Sequence, residues 1–257
     1  MKEKYAGSVL PRAQPRPGAA PPRQDPCAAC SARVLSVCNA ADEHQLAALA
    51  ELTTPVDVEA HRTFIMAGEP ASYLFNITEG VVKVYRLLPD GRQQITGFLF
   101  PGDFLGLATG NAYAFSAEAV TPVRYCRFAR KPLERFLGDA PKMERQLLTI
   151  ASNELAAAQE QMVVLGRKTA REKLASFLIT LSQRMKRLGK PEDMLDLPMS
   201  RADIADYLGL TTETVSRTFT QFRTSGLIEL PKAGGVRIKN RASLVRISGS
   251  GDPTPLS

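Results

Sequence analysis

The spacing of apolar residues changes its period along the chain. Between about residues 53 and 131, short alternating runs such as 73–77 (YLFNI) and 81–85 (VVKVY) predict β-strands, because alternate side chains of a strand share one face. Turn residues, including Gly80 and the Pro-Asp-Gly segment at 89–91, separate the runs. Short strands at regular intervals are typical of an antiparallel barrel or jelly roll.

Helical spacing flanks this region. Residues 42–50 predict a short helix opened by Asp42, and residues 168–187 predict another with Leu174, Phe177, Leu178 and Leu181 on one face. Between them, apolar residues recur at steps of three and four from residue 141 to 165, which predicts a long helix. Its apolar stripe consists of Met143, Leu147, Ile150, Leu155, Ala158, Met162 and Leu165. We expect this stripe to meet a parallel copy in a homodimer; the alternative is packing on the barrel of the same chain.

Residues 200–217 carry the most specific pattern. Ser200 is suited to cap a first helix, Gly209 to a left-handed turn, and Thr211 or Thr212 to cap a second helix. Apolar residues between them can hold the two helices at an angle. The pattern predicts a helix-turn-helix, for which an ordinary helical hairpin is the alternative. The strand-like runs that follow, up to residue 238, predict a β-hairpin and hence a winged helix.

The second helix of this motif would present side chains to DNA bases. Glu213, Ser216 and Arg217 fall on one face, where Arg217 can donate to guanine and Glu213 can accept from cytosine. We expect contacts with the phosphate backbone from Thr212, Thr218 and Arg223.

Charge supports a polyanionic partner. The chain carries 33 Lys and Arg against 26 Asp and Glu, a net charge of +7. Residues 168–247 hold 15 basic and 8 acidic side chains, so the excess lies around the helix-turn-helix. Charge alone leaves open a basic surface that serves solubility; together with the predicted helix-turn-helix, it leads us to expect double-stranded DNA as the partner. Because the chain has neither an apolar run of about 18 residues nor the apolar core of a secretory signal, we expect a cytoplasmic protein with no membrane contact.

Four cysteines form the candidate metal site. Cys27, Cys30 and Cys38 follow a C-x2-C-x7-C pattern, and Cys126 lies in a predicted strand. Four thiolates from a loop and a distant strand can complete a tetrahedral set of ligands. The spacing leaves open an iron–sulfur cluster, zinc, a thiol–disulfide switch and inert thiols. An iron–sulfur electron carrier or enzyme is disfavoured, because no constellation for a substrate site appears.

Over about residues 27–247, these motifs resemble the Crp–Fnr superfamily of bacterial transcription regulators. The turns at 67–69, 79–80 and 101–106 resemble those of its β-roll. The resemblance implies an α+β fold: an N-terminal β-roll like a cyclic-nucleotide-binding jelly roll, a long dimerisation helix and a C-terminal winged helix-turn-helix. The predicted divisions are a disordered arm at 1–26, the cysteine segment and sensor domain at 27–140, the dimerisation helix at 141–167, the DNA-binding domain at 168–247 and a tail at 248–257.

The Fnr branch of this superfamily fits better than the nucleotide-binding branch. No arginine lies between Arg92 and Arg124, so a buried cyclic phosphate would lack a cationic partner and no cyclic nucleotide is expected. Residues 94–98 and the trio Glu213, Ser216 and Arg217 are similar to the Fnr branch. That resemblance implies a 4Fe-4S cluster bound by the four cysteines. It also implies a regulator that is active at low oxygen, binds TTGA-like half-sites and recruits RNA polymerase. It implies no enzymatic activity.

Overall fold

The structure is a computed structural model that describes Cys27 and residues 30–107, 110–231 and 235–249. The predicted arm at 1–26 and most of the tail at 248–257 lie outside the described residues. The described chain begins with two short 3-10 turns, Arg33–Leu35 and Val37–Ala40, followed by helix α1, Glu43–Leu52. Asp42 opens α1 as predicted: its carboxylate accepts from the Gln45 backbone N–H at 2.8 Å, and the Gln45 side chain accepts from the Asp42 N–H at 3.2 Å.

Eight strands form the predicted β-roll. They are β1 Thr53–Val58, β2 Thr63–Ile65, β3 Tyr73–Glu79, β4 Val82–Leu87, β5 Gln93–Leu99, β6 Phe104–Leu105, β7 Ser116–Ala119 and β8 Val123–Ala129. They pair antiparallel in two four-stranded sheets, ordered β1-β8-β3-β6 and β2-β7-β4-β5. One core cluster of the roll is rich in aromatic side chains, including Phe75, Tyr113 and Tyr125, which alternate with residues facing the other way.

Two helices follow the roll: α2, Arg130–Gly138, and α3, Pro141–Arg167. The length of α3 confirms the long helix that the periodicity predicted. Its apolar stripe, however, does not serve a single partner. Met143 is 0% exposed, and it packs with Leu133 and Leu137 in the core of its own chain, with Leu147 and Ile150 partly buried against the same cluster. The prediction that Met143 belongs to a dimer interface is therefore wrong, because α2 and the 3-10 turn Val37–Ala40 already cover it.

The C-terminal domain comprises α4 Ala170–Arg187, β9 Met194–Leu195, α5 Arg201–Leu208, α6 Thr212–Thr224, β10 Ile228–Glu229, β11 Val236–Ile238 and α7 Arg241–Ser248. The four apolar residues predicted on one face of α4 are all buried. The predicted hairpin is present as β10 and β11, and β9 adds a third strand in the order β10-β11-β9. The domain is thus a winged helix-turn-helix, and the predicted fold class is confirmed.

This domain packs directly against the β4–β5 side of the roll. Phe98 of β5 contacts the rings of Phe177 and Tyr207 with centroid distances of 6.4 and 5.4 Å. Beside them, Lys83 of β4 forms an ion pair of 3.1 Å with Asp203 of α5. Residues of both domains share one buried apolar cluster. The helix-turn-helix is therefore held against the roll, an arrangement that the sequence did not predict.

Candidate DNA interface and cysteine site

Local hydrogen bonds set the ends of the two helices in the helix-turn-helix. Ser200 accepts from the Asp203 N–H at 3.0 Å, and the Asp203 carboxylate accepts from the Ser200 N–H at 2.9 Å. Gly209 ends α5 in the left-handed conformation, with φ +60° and ψ +47°. Thr211 then caps α6 by accepting from the Thr214 N–H at 3.2 Å. The predicted boundaries follow from these short-range contacts.

Helix α6 presents a polar face to solvent and an apolar face to its own domain. Val215, Phe219 and Phe222 are buried. The residues predicted to contact DNA that lie on the exposed side are Thr212, Glu213, Ser216, Arg217 and Arg223. Among the described residues, no ion pair or side-chain hydrogen bond engages Glu213 or Arg217. Both are therefore available to base edges in a major groove.

Thr218 does not belong to this face. It is 3% exposed, and its hydroxyl donates to the Thr214 carbonyl oxygen at 2.7 Å. The prediction that Thr218 contacts phosphate is wrong in this arrangement, because the side chain faces the core of the domain. A threonine hydroxyl can donate to the backbone carbonyl oxygen one turn earlier in its own helix. The polarity of Thr218 alone therefore does not indicate a contact with DNA.

An arginine that the sequence did not single out joins the two helices. The guanidinium of Arg201, the first residue of α5, lies 3.4 Å from the centre of the Phe219 ring of α6. Burial lowers the pKa of Arg201, but a guanidinium of this kind stays charged at neutral pH. This stacking helps to fix the angle between the helices. No spacing in the sequence connects the two residues.

The four cysteines line one cavity. Cys27, Cys30, Cys38 and Cys126 share its wall with Arg33, Leu46, Asn76 and Phe128. Ser36 helps to place Cys38, because its hydroxyl accepts from the Cys38 backbone N–H at 3.3 Å at the start of the second 3-10 turn. Cys126 sits in the middle of β8, opposite Pro55 of β1 and Asn76 of β3. The fold thus brings the distant cysteine to the N-terminal three, as the metal-site prediction required.

Burial disfavours the thiolate form of Cys38 and of Cys126. Burial, followed by the charges of Cys27, Cys30 and Cys38, raises the pKa of Cys126 to about 12. Burial also raises the pKa of Cys38, against a hydrogen bond from Ser36 that lowers it. Four thiolates in one apolar pocket would repel one another, and a bound metal centre supplies the positive charge that stabilises them. The donor set, four thiols with no carboxylate or imidazole in the wall, is the kind that iron–sulfur clusters and zinc use.

The pocket must open to hold such a group. Its volume is about 10 Å³, roughly enough for one water molecule. Within the described residues, no three His, Cys, Asp or Glu side chains are arranged to hold a metal ion as they stand. A cluster would therefore require more space between β8 and the cysteine segment, by which we mean Cys27 and residues 30–38.

The cysteine segment touches the start of α3. Val37 and Cys38 belong to the same buried cluster as Met143, and Leu147 and Ile150 pack against that cluster. Leu35, in the same segment, lies so close to Gly102 that a Cβ on this glycine would come within 2.5 Å of the Leu35 Cβ. A displacement of the segment would consequently alter the support beneath the first turns of α3.

Farther along α3, apolar side chains face solvent. Leu148, Leu155 and Met162 are 64%, 62% and 69% exposed and recur every seven residues. This heptad spacing is that of a parallel coiled coil. Ala158 is exposed on the same stretch, whereas Leu165 is partly buried. Leu165 lies beside Gly209, because a Cβ added to this glycine would be 3.4 Å from the Leu165 Cδ2 atom. We name the three exposed residues the α3 seam; Leu148 was absent from the predicted stripe.

A β-roll joined by a long helix to a winged helix-turn-helix defines a class of DNA-binding regulator. Two family models match this chain: the cyclic nucleotide-binding domain over residues 55–139 and the Crp-like helix-turn-helix domain over residues 172–247. The chain belongs to the Crp–Fnr family of transcription regulators.

Several relatives have similar sequences over most of their length. The nitrogen fixation regulation protein FixK of Bradyrhizobium diazoefficiens is 42% identical over 81% of this chain and 88% of its own. The transcriptional activatory protein AadR of Rhodopseudomonas palustris is 43% identical, covering 81% and 87%, and the transcriptional activator protein FnrL of Cereibacter sphaeroides is 35% identical, covering 87% and 92%. The solved structure of FixK2 from Bradyrhizobium japonicum has a TM-score of 0.72 and 36% identity, covering 77% of this chain and 98% of that one.

These comparisons make the chain a DNA-binding transcriptional activator of its family and confirm a regulator rather than an enzyme. Of the helices that the structure describes, none has both the length and the apolar character needed to cross a membrane.

Proposed function

We propose that this activator responds to oxygen through a four-iron four-sulfur cluster bound by Cys27, Cys30, Cys38 and Cys126, and that it binds palindromic DNA as a homodimer when oxygen is low. The observation that carries the proposal is that Cys126, remote in sequence from the other three cysteines, lines one cavity with them. That cavity lies beside the apolar cluster into which α3 inserts Met143.

The chemistry of the cysteines favours a metal centre over a thiol switch. A reactive thiol has a lowered pKa, whereas burial raises the pKa values of Cys38 and Cys126. The resemblance of the cysteine spacing to the Fnr branch favours iron and sulfide. A zinc-controlled regulator is the second candidate. Four cysteine thiolates are a common ligand set for zinc, and a single ion would require the cavity to open less than a cluster would.

The sensing step follows from the contacts of the cysteine segment. When bound, a cluster would supply an oxygen-labile link between this segment and β8. Val37 and Cys38 pack with Met143 under the start of α3, so the position of the segment affects how the helix is supported. The α3 seam begins at Leu148, less than two turns farther along. A change of packing here alters dimer affinity, and with it the simultaneous occupation of two half-sites.

The DNA-reading residues and further partners are part of the same proposal. Glu213, Ser216 and Arg217 read bases of TTGA-like half-sites, and Thr212 and Arg223 contact phosphates. RNA polymerase is the partner through which activation occurs. The exposed β4–β5 hairpin, where Arg92 pairs with Asp90 at 2.7 Å, is a contact site by resemblance. No cyclic nucleotide takes part; Phe75, Tyr113 and Tyr125 pack inside the roll, and no arginine lies between Arg92 and Arg124.

The test is anaerobic purification of the full chain with iron and sulfide analysis. We expect a brown protein with about four iron and four sulfide per chain, whose dimer fraction and affinity for a palindromic operator fall together in air. Cys126→Ser should abolish both the colour and the response. Leu155→Ala serves as the paired control, because it should retain the cluster while weakening the dimer.

Two outcomes would contradict the proposal. Colourless protein with stoichiometric zinc would establish the second candidate. An iron-loaded chain whose dimerisation and DNA binding are identical before and after exposure to air would show that the cluster is not coupled to α3.

A further inference from the structure

An asparagine lies beside the cysteines inside the fold. Asn76 of β3 is directly opposite Cys126 of β8 in the strand pairing, an arrangement that places two side chains close together on one face of the sheet. It is 1% exposed and contributes to the wall of the cavity that the four cysteines line. Its Oδ1 atom is buried and has no hydrogen-bond partner within the described residues.

This placement is costly for the protein without a ligand. Asparagine is disfavoured in strands, and a buried polar atom with no partner is destabilising. The adjacent Phe75 and Ile77 are buried apolar residues, and Leu74, on the same face as Asn76, is also apolar. An apolar residue at position 76 would satisfy the packing. The carboxamide therefore indicates a polar partner that is absent from the protein alone.

The chemistry of that partner follows from the surroundings. A carboxamide carries two N–H donors and a carbonyl oxygen, and a half-turn about its last torsion exchanges their positions. The cavity contains sulfur ligands, and thiolate or sulfide bound to iron accepts hydrogen bonds. Arg33 also lines the cavity, but it is partly exposed in a surface turn. Asn76, by contrast, pairs directly with Cys126 across the sheet.

We propose that Asn76 is a positioning residue for the metal centre, donating an N–H from its carboxamide to a sulfur atom at the Cys126 end of the site. This inference rests on the proposed function. Hydrogen bonds to sulfur favour the more negatively charged, reduced state and so raise the reduction potential. Asn76 thereby makes the site harder to oxidise and extends its lifetime in air.

The test compares three variants of the full chain, reconstituted anaerobically. Asn76→Leu keeps the same number and branching of side-chain heavy atoms without hydrogen bonding, and Asn76→Asp keeps the shape but supplies only acceptors when ionised. Thr78→Val is the matched control: Thr78 belongs to the same strand, at the irregularity between Ile77 and Glu79, is 8% exposed, and donates to the Arg124 carbonyl oxygen at 3.0 Å, outside the cysteine cavity. The readouts are the midpoint potential, the half-time of bleaching in air and the melting temperature of the iron-free chain.

We expect Asn76→Leu and Asn76→Asp to lower the midpoint potential and to shorten the half-time of bleaching on the order of tenfold, while Thr78→Val leaves both unchanged. Iron-free Asn76→Leu should melt no lower than the wild type, because it loses a buried group that had no partner. A merely structural asparagine would instead lower this melting temperature.

The inference is overturned if loaded Asn76→Leu has the midpoint potential and bleaching time of the wild type, or if its iron-free form is destabilised. Failure of the proposed function is a different result: the wild-type chain itself then takes up no iron, and the inference falls with it.

Discussion

The α3 seam is the proposed contact between two copies of this chain, and Leu155 tests that proposal most directly. Leu155 is 62% exposed in the single chain, so a second copy of the helix is what would bury it. Burying a whole leucine side chain is worth about 1.5–3 kcal/mol, and roughly three-fifths of that area remains to be covered. Leu155→Ala should therefore remove about 1–2 kcal/mol per protomer, and about 2–4 kcal/mol per dimer because a two-fold axis doubles the change.

That loss corresponds to an increase of about 30- to 1000-fold in the dimer dissociation constant. Sedimentation equilibrium of the anaerobic protein measures it. The fold itself should be spared, since Leu155 makes few contacts within its own chain and alanine is the best helix former; we expect the free energy of unfolding of the monomer to change by about 0.5 kcal/mol or less.

The matched control is Leu87→Ala. Leu87, at the end of β4, is 64% exposed and lies away from the seam, so its truncation should leave the dimer intact. Met143→Ala should show the opposite pattern from Leu155→Ala, with a loss of about 2–5 kcal/mol of unfolding free energy, because Met143 is fully buried. Equal dissociation constants for Leu155→Ala and the wild type would refute the assignment of this face to the dimer.

Three further predictions concern the C-terminal domain. Arg217→Ala should weaken specific DNA binding by about 1–3 kcal/mol and leave non-specific binding nearly intact. Competition titrations with scrambled DNA would show this. An equal loss of affinity for the operator and for the scrambled DNA would instead make Arg217 a phosphate contact. Thr212→Val should weaken binding to all DNA sequences, whereas Thr218→Val should not, because Thr218 is 3% exposed. Anisotropy titrations would detect the difference. A comparable loss for Thr218→Val would show that α6 rearranges on DNA. Burial alone would raise the pKa of Asp203, but hydrogen bonds from Ser200 and Lys83 outweigh it and lower the pKa. The ionised carboxylate therefore stabilises the fold fully above its ordinary pKa of about 4, and this stabilisation is lost as the pH falls through the lowered pKa of the folded state. Asp203→Asn should make the free energy of unfolding in urea depend less on pH in the acid range. An unchanged dependence on pH would contradict the pairing of Asp203 with Ser200 and Lys83.

The contact between the two domains affects how these results are interpreted. Gln94 of β5 donates through its side chain to the Asp206 carbonyl oxygen at 2.6 Å, and Arg184 of α4 pairs with Asp103 of the roll. Together with the Lys83–Asp203 pair, these bonds cross from the β-roll to the winged helix-turn-helix domain. A variant in this interface can consequently change DNA binding without touching DNA, and its stability needs to be measured alongside.

The sequence by itself determined the features that depend on neighbours a few residues away. Asp42 and Ser200 open their helices, Gly209 ends α5 and Thr211 opens α6 as the motifs indicate, because each uses hydrogen bonds or backbone angles within one helical turn. The alternating runs likewise predicted the strands of the roll, since side chains of a strand alternate whatever lies on either face.

The tertiary structure decided which partner each face meets. Periodicity placed Met143 and Leu155 on one apolar stripe, but α2 and the 3-10 turn Val37–Ala40 cover the first, whereas the second is exposed. The polarity of Thr218 suggested a contact with DNA, but Thr218 lies on the face of α6 that carries Val215, Phe219 and Phe222 and is buried in the domain. Cys126 and Asn76 became neighbours only when β3 and β8 paired. The spacing of apolar residues shows which side chains share a face of a helix or strand. It does not show what that face contacts, because the contact is formed by residues far away in the sequence.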